Sequence, residues 1–67
     1  MQLTWEHFLV RSLLEELGGR AKTEEIHKKV EDYSHGLSRQ QVEHFLLEME
    51  MAGLVEKTPE GEWMLNE

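Results

Sequence analysis

The chain has 67 residues, no cysteine and a formal net charge of −7, from 14 acidic and 7 basic side chains. This length corresponds to one domain over residues 1–67, and the absence of cysteine excludes disulfides and thiolate metal sites. The apolar runs are far shorter than the roughly 20 residues that cross a bilayer. The first residues carry neither the basic nor the apolar region of a secretory signal, so we expect a cytoplasmic protein that does not contact a membrane.

The first predicted helix spans about residues 4–17. Thr4 is a favourable N-cap because its hydroxyl can accept a hydrogen bond from an unpaired amide of the first turn. Leu3 and Phe8 occupy the hydrophobic-staple positions around this cap, and apolar residues then recur at helical spacing. The glycine pair at 18–19 predicts the end of the helix, since glycine readily adopts the left-handed conformation that terminates helices.

A connector at 20–22, which can form a one-rung β-strand, leads to a second predicted helix over about residues 23–33. Thr23 is its predicted N-cap. The apolar residues expected on its core-facing side are Ile26, Val30 and Tyr33. The segment 34–36 breaks the helical pattern, so we expect a turn there.

The third predicted helix covers about residues 38–52 and has the strongest signals in the chain. Ser38 and Gln41 form a capping box, in which each side chain bonds the backbone N–H of the other residue. The apolar stripe that faces the core consists of Val42, Phe45, Leu46 and Met49. Gly53 is the predicted left-handed residue of a Schellman motif that ends the helix.

The hydrophobic period then changes from helix to strand, and residues 54–65 predict a β-hairpin. Its turn reads Thr58-Pro59-Glu60-Gly61, with proline and glycine at the positions that are typical of a type I turn. A lone hairpin is only marginally stable in water. We therefore expect Trp63 and Leu65 to lie over the helical core.

The order of helix, connector, helix, turn, helix and hairpin resembles the winged helix-turn-helix family. The stretch that carries the resemblance best reads Leu46-x-x-Met49-x-x-Ala52-Gly53-Leu54-Val55-Glu56-Lys57, followed by Glu60-Gly61-x-Trp63. The resemblance implies an α+β fold of three helices plus a C-terminal two-stranded β-hairpin, the wing. Within the family, the chain is similar to small bacterial and archaeal transcription regulators. It is also similar to the C-terminal winged helix of archaeal minichromosome-maintenance helicases, although those tend to have Pro-x-Pro-Gly where this wing reads Thr-Pro-Glu-Gly-Glu.

The resemblance implies a non-catalytic DNA-binding module of transcription regulation or DNA replication. In this family the third helix enters the major groove of double-stranded DNA. The residues that this arrangement would bring to base edges are Ser38, Arg39, Gln40 and His44. The residues that it would bring to phosphates are Arg20, Lys22, Lys28, Lys29 and, on the wing, Lys57.

The charge is unevenly distributed along the chain. Residues 1–19 sum to −2, residues 20–46 to zero and residues 47–67 to −5. A neutral recognition segment is compatible with DNA, whereas an acidic wing is repelled by phosphates. We therefore expect the wing to contribute little to DNA binding, and the affinity to be modest unless the protein dimerises.

The alternative is a winged helix that binds a protein and does not bind DNA directly. On the third helix, Leu47 and Met51 lie opposite the core stripe at the helical period and are expected to be exposed. On the first helix, Trp5 and Phe8 widen the apolar arc beyond the roughly 100° of an ordinary surface helix. Because large exposed apolar patches mark interfaces, these residues predict a homodimer through the first helix or a protein partner on the third.

The four histidines raise the question of a metal site. His27 and His44 are each followed four residues later by a glutamate, but neither belongs to a motif such as HExxH, and His7 and His35 carry no motif. There is also no nucleophile motif and no phosphate-binding loop, and the chain is too short for a sizeable pocket. We expect no enzymatic activity, no metal, no cofactor and no small-molecule substrate.

Overall fold

The computed structural model describes residues 3–33 and 36–66. Its helices and strands are, in chain order, α1 (Trp5–Glu16), β1 (Arg20–Ala21), α2 (Thr23–Val30), α3 (Arg39–Met51), β2 (Val55–Lys57) and β3 (Trp63–Leu65). The fold is therefore α+β, as predicted, and each helix falls within its predicted range. Of the predicted turn at 34–36, Ser34 and His35 lie outside the described residues. In the part of the chain that the structure describes, no helix is long and apolar enough to cross a membrane.

The strands form one antiparallel sheet in the order β1-β3-β2. Trp63 on β3 lies opposite Lys57 of β2 on one side and opposite Ala21 of β1 on the other. The predicted hairpin forms, but the sheet has three strands and not two, because the connector forms the short strand that the sequence allowed and pairs with β3. This third strand satisfies backbone groups that β3 would otherwise leave unpaired along its second edge. Leu65 N, which donates to Gly19 O at 2.8 Å, extends the same pairing.

The end of α3 and the hairpin turn form as the sequence predicts. Gly53 has a φ of +80°, in the left-handed region, and Leu54 N donates to Met49 O at 2.9 Å, the long hydrogen bond of a Schellman motif. In the hairpin, Gly61 N donates to Thr58 O at 3.0 Å and closes the predicted turn. These contacts join residues that are close in the chain, so the local sequence specifies them.

The N-terminal end of α2 departs from the prediction. The helix begins with Thr23, and Lys22 takes the N-cap position, where its backbone N–H donates to Glu25 Oε1 at 3.0 Å. The Thr23 hydroxyl instead accepts a hydrogen bond from the indole of Trp63 at 3.0 Å. The predicted Thr23 cap is therefore wrong, because a long-range partner takes the hydroxyl that would have made it.

The C-terminal end of α2 also differs from the prediction. The regular helix stops at Val30, and Tyr33 N donates to Val30 O at 2.9 Å within the turn at 31–33. A bond between residues three apart tightens the backbone and rotates later side chains away from the α-helical period. Tyr33 is 60% exposed as a result, so its predicted position on the core face with Ile26 is wrong.

The core lies between the three helices and one face of the sheet. Trp63 is fully buried and Leu65 nearly so, which confirms that the hairpin covers the helices. The other buried apolar residues are Val10, Leu13, Leu14, Ala21, Ile26, Val30, Val42, Leu46, Met49 and Val55. Phe45, predicted for the core stripe, is only partly buried and packs against this cluster from its edge. Removing this apolar surface from water stabilises the fold by about 25 cal/mol per Å².

Candidate interaction surface

The predicted capping box fixes the N-terminal end of α3. Ser38 Oγ accepts a hydrogen bond from Gln41 N at 3.1 Å, and Gln41 Oε1 accepts one from Ser38 N at 2.8 Å. The Ser38 hydroxyl therefore already stabilises the helix, and a base contact through it would compete with that role. Gln40 and His44, which were also predicted to contact bases, are exposed on the same helix.

Arg39, the predicted guanine-contacting residue, is paired with a carboxylate of its own chain. Its Nη2 donates to Glu24 Oε1 on the first turn of α2, and both side chains are more than half exposed. Exposed ion pairs are worth about 0–1 kcal/mol, so this pair could open for another ligand. The glutamate nevertheless stays beside the position that a phosphate would have to reach.

Other predicted phosphate-contacting residues have the same kind of neighbour. Arg20 Nε lies 3.1 Å from Glu62 Oε1, next to the hairpin turn, and Lys29 Nζ lies 3.6 Å from Glu16 Oε1 on α1. In each place a phosphate would meet a carboxylate together with the cation. The surface around these basic residues is therefore close to neutral.

Three predicted phosphate-contacting lysines have no carboxylate partner within 4.0 Å among the described residues, namely Lys22, Lys28 and Lys57. They lie on the N-cap of α2, on the last turn of α2 and on β2, respectively. Lys57 Nζ lies 4.8 Å from the centre of the Trp63 ring, a cation–π contact that holds it against the sheet. The structure therefore places the unpaired lysines at the two ends of α2 and on β2, and not in one patch.

An open cleft of about 350 Å³ lies between the ends of α1 and α2. Its lining includes Lys28 and Lys29, but also Glu25, Asp32 and Leu17. Two cations and two carboxylates in one cleft favour neither an anionic nor a cationic ligand. The cleft therefore offers no specific chemistry for a small molecule.

His7, which carries no sequence motif, is 3% exposed and links α1 to α3. Its Nδ1 lies 2.9 Å from the backbone N of Thr4, and its Nε2 lies 2.9 Å from Glu48 Oε1. Since a backbone N–H can only donate, Nδ1 is the acceptor in this bond, and the neutral ring carries its hydrogen on Nε2 and donates it to Glu48. The ring also packs edge-on against Phe45, with 4.9 Å between centroids.

The N-cap of α1 is a capping box with histidine at its third helical position. Thr4 is the N-cap residue, as predicted, and its backbone N–H donates to the His7 ring. One sequence signal could have revealed this: His7 stands three residues after the cap, where a capping box has Glu or Gln.

Glu48 occupies the seam between α1 and α3, together with the two histidines. His44 Nε2 lies 3.6 Å from the same Oε1 atom that His7 contacts. The Glu48 side chain is about a quarter exposed, so part of it reaches solvent. The seam thus presents a carboxylate whose position is fixed from the buried side.

Two pairs of large apolar side chains are exposed on the helices that this seam joins. Trp5 and Phe8 on α1 are 64% and 56% exposed, and Leu47 and Met51 on α3 are 47% and 75% exposed. The exposure predicted for Leu47 and Met51 from the helical period is confirmed. Along the helix axes each pair lies within about one 5.4 Å turn of the His7–Glu48 contact, but the helical period turns Trp5 to the side of α1 away from His7. We call these four residues the apolar pairs.

The remaining histidine described by the structure, His27, is bound to the backbone. Its Nε2 donates to Leu37 O at 3.0 Å, since a carbonyl can only accept, while its Nδ1 lies 3.8 Å from Glu31. Among the residues that the structure describes, no three His, Cys, Asp or Glu side chains are placed to hold a metal ion. His27 therefore anchors the start of the α3 segment to α2.

Comparison of the chain with protein-family models, with curated proteins and with solved structures gave no match.

Proposed function

We propose that this chain is a winged helix-turn-helix domain that serves as a non-catalytic interaction module, and that its partner is a protein. The order of three helices followed by a hairpin supports the winged-helix assignment, together with the glycine-ended third helix that leads into the hairpin. In such a domain the outer face of the third helix is the binding surface. Here that face combines polar residues near its N-terminus with Leu47 and Met51 near its C-terminus.

The exposed apolar residues of α1 and α3 carry this proposal. Single exposed apolar side chains are ordinary on protein surfaces. Here the exposed residues come in pairs, three or four positions apart on the same helix, so the two members of each pair are neighbours. Clustered apolar surface of this kind marks interaction sites. Trp and Phe are also enriched at the centres of protein interfaces, where their burial contributes most of the affinity.

The charge distribution supports a protein partner over DNA. Affinity for DNA comes mainly from Lys and Arg that neutralise phosphates, and the chain has twice as many acidic as basic side chains. Arg39, Arg20 and Lys29 lie against glutamates of the same chain. A phosphate that approached these residues would also be repelled by the neighbouring carboxylate. This repulsion would offset part of its attraction to the cation.

A second candidate function is DNA binding in transcription regulation or replication. The observation that favours it is the exposure of Arg39, Gln40 and His44 on the first half of α3. Arg and Gln are the residues that read guanine and adenine by paired hydrogen bonds. Opening the Arg39–Glu24 pair would cost little, since both groups are exposed.

Fluorescence anisotropy with a generic labelled duplex, at low and at moderate salt, separates the two candidates. We expect dissociation constants above about 10⁻⁴ M even at low salt. This value is the weak end of the range for nonspecific binding to DNA. Micromolar or tighter binding that falls steeply with salt, and that the double variant Arg39→Ala/Lys29→Ala abolishes, would overturn the protein-partner proposal. A matched capture experiment would compare the wild-type chain with Leu47→Ser/Met51→Ser as bait, and we expect the partner only with the wild type.

A further inference from the structure

We infer that the outer face of α3 pairs with one helix of a partner protein, and that the partner helix carries an apolar stripe bordered by lysine or arginine. The inference rests on the proposed function and names the chemistry of the partner. Of the apolar pairs it uses only Leu47 and Met51, together with side chains of the same helix.

The exposed residues of α3 have the spacing of a coiled-coil stripe. In steps of four, three and four residues, they are Gln40, His44, Leu47 and Met51. This is the heptad repeat of d and a positions, whose side chains insert between those of a facing helix. Leu47 is at a d position and Met51 at an a position, so the outer face of α3 matches the apolar stripe of a second helix.

The protein's own core uses the opposite face of the same helix. Val42, Leu46 and Met49 are fully buried, and in this register they take f, c and f positions, on the far side from a and d. Leu47 and Met51 remain 47% and 75% exposed. Packing within the chain therefore does not account for an apolar stripe on the outer face.

Glutamates border the outer face on both sides. In the same register Glu43 and Glu50 take g positions and Glu48 takes an e position, each next to the a and d residues. Glu50 is exposed, and the other two are partly exposed. Residues 40–56 contain no lysine or arginine. Because the charges at e and g determine which helices pair, this border favours a partner helix with basic residues beside its apolar stripe.

The same border disfavours a second copy of this chain as the partner. Two α3 helices paired through their outer faces would place glutamates opposite glutamates, and like charges at an interface oppose association. The outer face also spans only about 18 Å of helix. Opposite charges on the partner helix would therefore make an important contribution to binding.

The test is a fluorescence-anisotropy titration of a labelled peptide with the chain. The peptide has about 21 residues in three heptads, with isoleucine at a, leucine at d and lysine at e and g, and the matched peptide has glutamate at e and g. At physiological salt, which screens distant charges, we expect micromolar binding of the lysine peptide. We expect the glutamate peptide to bind at least about tenfold more weakly.

Two double variants that keep the net charge locate the binding face. We expect Leu47→Ser/Met51→Ser to bind the lysine peptide on the order of tenfold more weakly, as for central interface residues. Trp5→Ser/Phe8→Ser is the matched control, because it removes the exposed apolar pair of α1. We expect this control to bind as the wild type does, and equal losses in the two variants would overturn the inference.

A charge reversal tests the border without altering the apolar stripe. Glu43→Lys/Glu50→Lys spares Glu48, which also bonds His7, and we expect it to bind the glutamate peptide more tightly than the lysine peptide. The same change in net charge made on α1 and in the hairpin turn, by Glu15→Lys/Glu60→Lys, should keep the wild-type order of the two peptides.

Three results would overturn the inference. They are the absence of binding of the lysine peptide to the wild type, the same order of the two peptides for the wild type and for Glu43→Lys/Glu50→Lys, and a dimer in sedimentation equilibrium that Leu47→Ser/Met51→Ser dissociates. The last would identify a second copy as the occupant. Failure of the proposed function is seen separately, as tight salt-dependent binding in the DNA titration.

Discussion

The indole Nε1–H of Trp63 donates a hydrogen bond to Thr23 Oγ1 at 3.0 Å, and both side chains are buried. The bond joins the last strand of the sheet to the first residue of α2, forty positions earlier in the chain. A buried indole N–H that lost its acceptor would remain unsatisfied, which costs more than a typical hydrogen bond contributes. The bond therefore fixes how the hairpin sits on the helices.

Replacing Thr23 by valine tests this bond, because valine keeps the shape and removes the acceptor. We expect Thr23→Val to lower the free energy of unfolding by about 1–3 kcal/mol, the cost of an unsatisfied buried donor. In a Trp63→Phe background no donor is left, and the same substitution should cost much less. Urea unfolding of the four chains measures the coupling, and equal costs in both backgrounds would contradict the assignment.

His7 can be tested by restoring one of its two hydrogen bonds. We expect His7→Ala to destabilise the chain by about 1–3 kcal/mol, because the Thr4 N–H loses its cap acceptor and Glu48 loses its buried donor. His7→Gln should recover part of this loss, since glutamine at this position completes an ordinary capping box. Thermal unfolding followed by circular dichroism checks the order wild type, Gln variant, Ala variant.

Substitutions of Gly53 measure how much the free energy of unfolding falls when a residue other than glycine must take the left-handed conformation that ends α3. A Cβ at this position would meet no atom within 4 Å, so a substitution there is resisted by the backbone conformation alone. We expect Gly53→Ala to cost about 1–2 kcal/mol and Gly53→Asn to cost less, because asparagine tolerates this conformation. Chemical denaturation measures both, and an Asn variant no more stable than the Ala variant would contradict the expectation.

Removal of the carboxylate from the Arg39–Glu24 pair should strengthen weak binding to DNA. Glu24→Gln removes the carboxylate beside Arg39, and we expect up to about fivefold tighter binding to a duplex at low salt, the range of an exposed ion pair. Glu15→Gln is the matched control, since Glu15 pairs with Arg11 of its own helix and not with Arg39. Equal effects of the two variants in the anisotropy titration would assign the change to net charge alone.

The two tryptophans should differ strongly in their access to solvent. In the free protein we expect acrylamide to quench the emission of Trp5 and to leave that of Trp63 nearly unaffected, because Trp63 is enclosed by the core. Trp5→Phe should therefore remove most of the quenchable emission. Stern–Volmer plots of this variant and of Trp63→Phe give the two contributions directly, and steep quenching of Trp5→Phe would show that Trp63 is accessible.

The sequence was sufficient for the features that depend on neighbouring residues. The capping box of Ser38, the left-handed Gly53 and the turn closed by Gly61 all involve bonds between residues at most five apart, so residue type and spacing specify them. The exposure of Leu47 and Met51 followed from the same kind of argument. Once the core stripe of a helix is identified, the 3.6-residue period places the opposite face.

Tertiary structure decided the features that depend on distant partners. Thr23 looked like a helix cap until folding brought Trp63 to its hydroxyl, and His7 had no motif because its partner Glu48 is 41 positions away. Distant partners also decide that β1 pairs with β3 and that glutamates lie beside Arg39 and Arg20. One side chain can bond several alternative partners, and only the packing of the helices against the sheet selects which of them lies within reach.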